Sequence, residues 1–408
     1  MIETLESAVN RKSTRQERWI FYSIIVISVL SSSVILPRLA GIVLLVGTYA
    51  VFILITFSRR GYFLIGPHYA FFALALLSSL MVLNHVMGKV GDITHVLFPA
   101  VTVFLLVANL FVIPHVINSE YFAFITSRVS AVVVIVGLLM LVFGDISLLW
   151  FELQNWPGTD QVYYFGELHP LRSIYRGSQN NTAVLLFVGF LASIYQLVQE
   201  KTSVYIALSV INGVGLYLTH SRGGIGVALI GFSLIFLYLV YRYEAVGVVT
   251  ISGGVLFLAG ILTYSSIFPG PSWFDVVNLN DRQEIWRAGY KAFKQKPALG
   301  YGVKETADII ELYLPENKRG HSIHNAYFRI FLYTGFIGGI TYMAFIFYSL
   351  IDTVFDDRIN IFIFALAVAF AVHHFQGGAP LFGANFKSVS IGLTFGYLIN
   401  GRYDFSEG

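Results

Sequence analysis

The chain has 408 residues, 56% hydrophobic and only 12% charged, with a mean hydropathy of +0.71. Soluble domains carry about 25% charged residues, so this composition excludes a water-soluble globule and points to an all-α, polytopic membrane bundle. A net charge of +3 is too mild for a nucleic-acid binder, and the absence of cysteine excludes disulfides, thiolate metal sites and a cysteine nucleophile.

Residues 1–18 are polar and basic without a cleavable signal pattern, and are expected to form a cytoplasmic N-terminal segment. The apolar runs that follow are long and unalternating, which favours helices over a barrel. Each span needs about 20 apolar residues. The sequence predicts twelve helices, at about 19–36, 39–57, 62–83, 93–113, 129–150, 182–199, 203–219, 224–241, 245–264, 324–350, 359–375 and 385–400. Together they make a transmembrane bundle over 19–400, with 401–408 as a cytoplasmic tail. An even count puts both termini on one side. The long connections 151–181 and 265–323 then share the other face with the Thr219–Gly223 turn.

Basic residues set the expected orientation. The inner segments hold 11 Lys and Arg, including Arg11, Lys12, Arg15, Arg18, Arg59 and Arg60, against 15 on the outer side. The flat count opposes the positive-inside rule, but ten of the outer residues lie in the two long loops and early helices dominate topology. The termini are therefore expected in the cytoplasm, and binding an anion is the natural reason for the outer excess.

Loop 151–181 mixes aromatics with Arg172 and Arg176. Arg222 follows in the turn Ser221-Arg222-Gly223-Gly224, where glycines allow close backbone approach to a ligand. In the second long loop, residues 281–296 read as an amphipathic helix, with Asp281 and Glu284 as a capping-box variant and Pro297 past the end. Ile285, Trp286, Gly289, Ala292 and Phe293 form one apolar arc, with Arg287, Lys291 and Lys294 opposite. Arg282 alone among the five basic residues projects into the apolar arc, where a desolvated guanidinium needs a strong partner such as a phosphate.

His321-Ser322-Ile323-His324-Asn325 precedes the next apolar helix. At helical spacing His324, Phe328, Phe331 and Gly335 share one face, and Gly335 with Gly339 makes a GxxxG spacing that lets another helix approach. An imidazole with pKa near 6.5 can accept a proton at neutral pH. His321 with His324, or His373 with His374, has the spacing of a metal pair, but no carboxylate supplies a third ligand, so no metal or cofactor is expected.

The chain resembles the O-antigen ligase and O-antigen polymerase superfamily of polytopic glycosyltransferases. The matching residues are His220-Ser221-Arg222-Gly223 opening a span, Asp281-Arg282-Gln283-Glu284-Ile285-Trp286, Pro297-Ala298-Leu299-Gly300-Tyr301-Gly302, and the spacing of His324 to Gly335 with Asn325 beside it. Gly226 departs from the leucine often found four residues after the ligase arginine. The resemblance implies an inverting, metal-independent transfer of a glycan from a polyprenyl (undecaprenyl) diphosphate to an acceptor hydroxyl. The reaction would take place in the cell inner (cytoplasmic) membrane with its site facing the periplasm or exterior. It implies that Arg222 and Arg282 hold the diphosphate and that His324 is the general base. Arg172, Arg176, His321 and Asn325 are the further substrate-binding candidates. The leading expectation is an O-antigen ligase acting on lipid A-core. Repeat-unit polymerase and protein O-oligosaccharyltransferase stand as alternatives, and then a lipid-linked oligosaccharide flippase, which would place charge near the bilayer midplane.

Overall fold

Thr14 starts the first helix of this computed structural model: its hydroxyl accepts from the Glu17 N–H at 3.2 Å, while the Glu17 carboxylate accepts from the Thr14 N–H, a closed capping box. The structure describes residues 13–60, 66–88, 94–148, 151–153, 162–163, 167–168, 170–176, 179–264, 282–377 and 381–401. Helix α1 (Arg15–Leu30) is pinned to α2 (Arg38–Arg60) by an Arg60–Glu17 ion pair at 3.1 Å with both side chains buried. Next come α3 (His68–Gly88) and α4 (Thr94–Val107), which runs on through a π turn (Ala108–Val112) and a 3-10 turn (Ile113–His115). Then follow α5 (Ser119–Phe143), α6 (Gln179–Glu200), α7 (Ser203–Leu218), α8 (Arg222–Tyr264), α9 (Arg282–Gln295), α10 (Thr306–Ile310), α11 (Ala326–Thr353), α12 (Ile361–Gln376) and α13 (Phe386–Asn400). Five helices, Arg38–Arg60, Ser119–Phe143, Gln179–Glu200, Arg222–Gly260 and Ala326–Thr353, are long and apolar enough to cross a membrane among the described residues. The fold is nearly all-α. Among the described residues its strands form two short antiparallel pairs, β1 (Ile146–Leu148) with β2 (Phe151–Leu153) and β3 (Val162–Tyr163) with β4 (Glu167–Leu168).

Helix α13 is the centre of the bundle: every residue in it except Lys387 is buried. Phe122, Phe187, Phe362, Phe364 and Phe370 fill the surrounding core, with Phe395 of α13 itself. Large apolar side chains such as Leu39, Leu54, Val142, Phe143 and Leu256 stay exposed on the outer helices, as a lipid-facing surface requires.

Several expectations shift. The helix expected at 129–150 is α5, which starts at Ser119 because Asn118 caps it, accepting the Tyr121 N–H at 3.1 Å. The polar residues that hid this start are satisfied inside the bundle. Thr126 donates to the Phe122 carbonyl, Ser127 to Gln196, and Asn212 on α7 to the Ser127 carbonyl. Helix α5 stops at Gly144, and β1 takes up residues that hydropathy assigned to its end. The two helices expected at 224–241 and 245–264 are halves of α8, divided at Arg242 (φ 65°, ψ −166°). Gly223 lies beside Gln376, Gly247 against Phe355, and the Phe257 ring 5.2 Å from Phe375, so the chain reverses at Arg242 and returns along α12. The helix expected at 324–350 begins two residues later, at Ala326, and is itself broken at Gly335 (φ 69°, ψ −164°). His324 is therefore not on a helical face with Gly335. The GxxxG reading also fails: the backbone of the 297–300 turn, not another helix, approaches Gly335. Residues 402–408, most of the expected tail, 1–12, 154–161 and 265–281, including Asp281, lie outside the described residues.

Candidate active site

Two clamps fix the backbone around His324. On one side Ile323 is fully buried, its carbonyl accepts from the Trp286 indole N–H at 3.2 Å, and its N–H donates to the Thr306 hydroxyl at 3.3 Å. On the other, Asn325 caps α11 by accepting the Phe328 N–H at 2.9 Å. Between them His324 adopts φ 46°, a left-handed conformation that costs a non-glycine residue energy and is retained only where neighbours enforce it. Strain of this kind concentrates at functional positions.

Helix α9 supplies the floor for this turn. Ile285, Ala288 and Ala292 are buried, and Gly289 brings the helix against the Ile323 side chain. Arg287, Lys291 and Lys294 face outward, as the periodicity predicts. Glu284 does not close a capping box with a described residue; its carboxylate takes the Lys318 ammonium at 2.5 Å. Past the helix, the Tyr301 and Gly302 amides donate to the carbonyls of Leu332 and Tyr333, and the Phe336 amide donates to Pro297. The Pro297–Gly302 segment thus stitches α9 to the break in α11.

These elements enclose a cavity of about 770 Å³, within the range of roughly 300–1,000 Å³ typical of ligand sites. Its wall carries Arg38, Arg176, Arg282, Lys304, Arg329 and Lys387 against one carboxylate, Glu305, among the described residues. His324 and His373 also line it. The His324 imidazole is open to the cavity yet hemmed in by protein. That enclosure holds its pKa below the ordinary value, and the positive charge of Arg282, Arg329, His321 and Lys387 lowers it further. It is therefore neutral at neutral pH and free to accept a proton. Among the described residues no three His, Cys, Asp or Glu side chains gather to hold a metal; the donor set of the wall suits an anion.

Of the residues expected in a site, Arg282, His324 and Arg176 line the cavity together. The Arg176 guanidinium is also tied to the Leu36 carbonyl at 2.8 Å. Arg222 is not on the wall: its neighbours Ser221 and Gly223 are, while its own side chain is exposed at the first position of α8. Arg172 lies off the wall, with its carbonyl accepting from the Thr182 hydroxyl at 2.6 Å. His321 is exposed and off the wall, and Asn325 is the buried cap of α11. Periodicity did not single out Arg38, Arg329 or Lys387. The available signal was parity: each opens a helix at the end of the bundle where the long loops attach.

The fold and site together define a polytopic membrane protein with a cationic cavity and one strained histidine in its wall. Residues 207–343, about a third of the chain, match the O-Antigen ligase family model Wzy_C, so that segment is similar to this family. That match spans Arg222, Arg282, His324 and Arg329. No curated protein matches the chain.

Proposed function

We propose that this protein is an inverting, metal-independent glycosyltransferase. It moves a glycan from a polyprenyl diphosphate to an acceptor hydroxyl at the outer leaflet of the inner membrane, as an O-antigen ligase with lipid A-core as acceptor. The observation that carries this reading is His324, an imidazole kept neutral in a wall whose basic side chains outnumber its acid.

In this reading the acceptor hydroxyl attacks the anomeric carbon from the face opposite the diphosphate. The new C–O bond forms as the bond from the anomeric carbon to the diphosphate oxygen breaks. The hydroxyl proton passes to His324, a step worth about 10²–10⁴-fold. Charge grows on the departing diphosphate, and Arg282 stabilises it, which removes the need for a general acid. Arg222, exposed between two wall residues, is assigned to capture of the donor at the rim. Arg176, with Arg172 behind it, is assigned to the glycan side of the donor.

The test is transfer by purified protein from a defined lipid-diphosphate glycan, with lipid A-core, free glycan repeat and a protein acceptor offered side by side. Product on lipid A-core is expected, abolished in Arg282→Ala and His324→Ala. Product on glycan repeat alone makes the enzyme a polymerase. No transfer to any acceptor by the wild type refutes the reading.

A further inference from the structure

We infer that Lys387 and Arg329 form a second diphosphate grip, on α13 and α11, complementing Arg282 on α9; the inference rests on the transferase reading. Lys387 is the one residue of α13 that is not buried, and it lines the cavity. A helix otherwise buried in protein carries its one lysine in the first turn, where α13 lines this space. Among the described residues no hydrogen bond or ion pair holds that ammonium. Arg329 donates from one guanidinium nitrogen to the Ser322 hydroxyl at 3.0 Å, and its buried Nε has no acceptor among the described residues.

The two cations repel each other across the cavity, and both act on His324. Desolvated like charges without a counter-ion destabilise a fold unless something else requires them. The wall's one described carboxylate, Glu305, is exposed and forms no ion pair with either. No described side chain supplies the negative charge these cations call for, and a ligand's anion would supply it. A sugar carboxylate brings one charge; a diphosphate brings more, spread over several oxygens, and fits three cations converging from separate helices. Lys387 lies beyond the matched segment 207–343, so this half of the grip is carried by the chain's own C-terminal helix. A lysine retained only to pack would have a carbonyl or hydroxyl acceptor, and among the described residues it has none.

The experiment uses the full-length protein in detergent, with inorganic pyrophosphate and glucuronate as probes, titrated calorimetrically. Lys387→Met should bind pyrophosphate roughly 30-fold or more weakly, since truncating one member of a close charge pair removes at least that much. The same variant should melt at a higher temperature without ligand, because a half-desolvated charge that faces other cations is gone; a packing role predicts a lower one. Arg329→Gln should show the same loss of pyrophosphate binding. Lys387→Arg should keep binding within a few-fold, and Lys291→Gln on the exposed face of α9 should leave it unchanged. Wild-type protein that binds pyrophosphate while Lys387→Met and Arg329→Gln bind it equally well overturns the grip and leaves the transferase reading standing. A requirement for Lys387 in glucuronate but not pyrophosphate binding also overturns it. Wild-type protein that ignores pyrophosphate sinks the donor reading itself.

Discussion

Gly335 and Ala298 meet backbone to backbone: a Cβ on Gly335 would stand 2.1 Å from the Ala298 carbonyl oxygen. Gly335 also holds φ 69° and ψ −164°, a region that is strained for any residue with a Cβ. The contact lets the Pro297–Gly302 segment dock into the break of α11 and so sets α9 against the His324 turn. Gly335→Ala should destabilise the protein by more than the about 1–3 kcal/mol of backbone strain alone, read as a lower melting temperature in detergent with transfer lost in parallel. Gly226, whose Cβ would meet open space inside α8, is the control. Gly226→Ala should gain up to about 1 kcal/mol from helix propensity.

The same glycine shows what the sequence could and could not carry. Hydropathy placed most helices within a few residues because an apolar run of the right length has few other fates in a bilayer. It failed at α5, where Glu120, Thr126, Ser127 and Arg128 dilute the run, although buried hydrogen bonds satisfy the two hydroxyls. The periodicity of α9 was legible because its two faces meet different media. His324 was legible as chemistry and not as geometry: extrapolating one helix through Gly335 assumes torsions that its left-handed backbone does not have. Arg329 and Lys387 are single charges at span ends, and only three-dimensional convergence separates them from snorkelling side chains.

The pH dependence of transfer follows from the direction of the His324 shift. A histidine in the unfolded chain takes its proton near 6.5, whereas folded His324 resists protonation until a lower pH. The unfolded state thus binds more protons between the two values. The stability this group contributes is complete above 6.5 and lost as pH falls through the folded pKa. Activity follows the neutral imidazole, so the acid limb of kcat/KM should lie below 6.5. Arg329→Gln should move that limb upward by removing one positive neighbour. An acid limb at or above 6.5 in the wild type would rule out His324 as the base.

Arg282 and Arg222 should separate kinetically. Arg282 lines the cavity and acts on His324, whereas Arg222 is exposed at the start of α8. Arg282→Ala should therefore lower kcat by about 10²–10³-fold, the cost of removing a donor aimed at developing charge. Arg222→Ala should act chiefly on KM for the lipid donor. Equal losses of kcat in the two variants would place both guanidiniums on the reacting diphosphate. A lysine at 282 should rescue poorly, because an ammonium lacks the planar fork that binds two phosphate oxygens at once.

Glu17 and Arg60 test how the opposite end of the bundle is held. Their pair is 3.1 Å long with side chains 1% and 2% exposed, and Thr14 ties the carboxylate to the start of α1. Glu17→Gln leaves a buried guanidinium without its counter-charge, and should cost about 3–5 kcal/mol. Glu17→Leu with Arg60→Met removes both charges together and should recover much of that loss, since well-packed apolar replacements of buried pairs are often neutral. The measurement is a double-variant cycle on melting temperature in detergent. Strict additivity of the two single changes would show that the pair is not coupled, and that α1 is held to α2 by apolar packing alone.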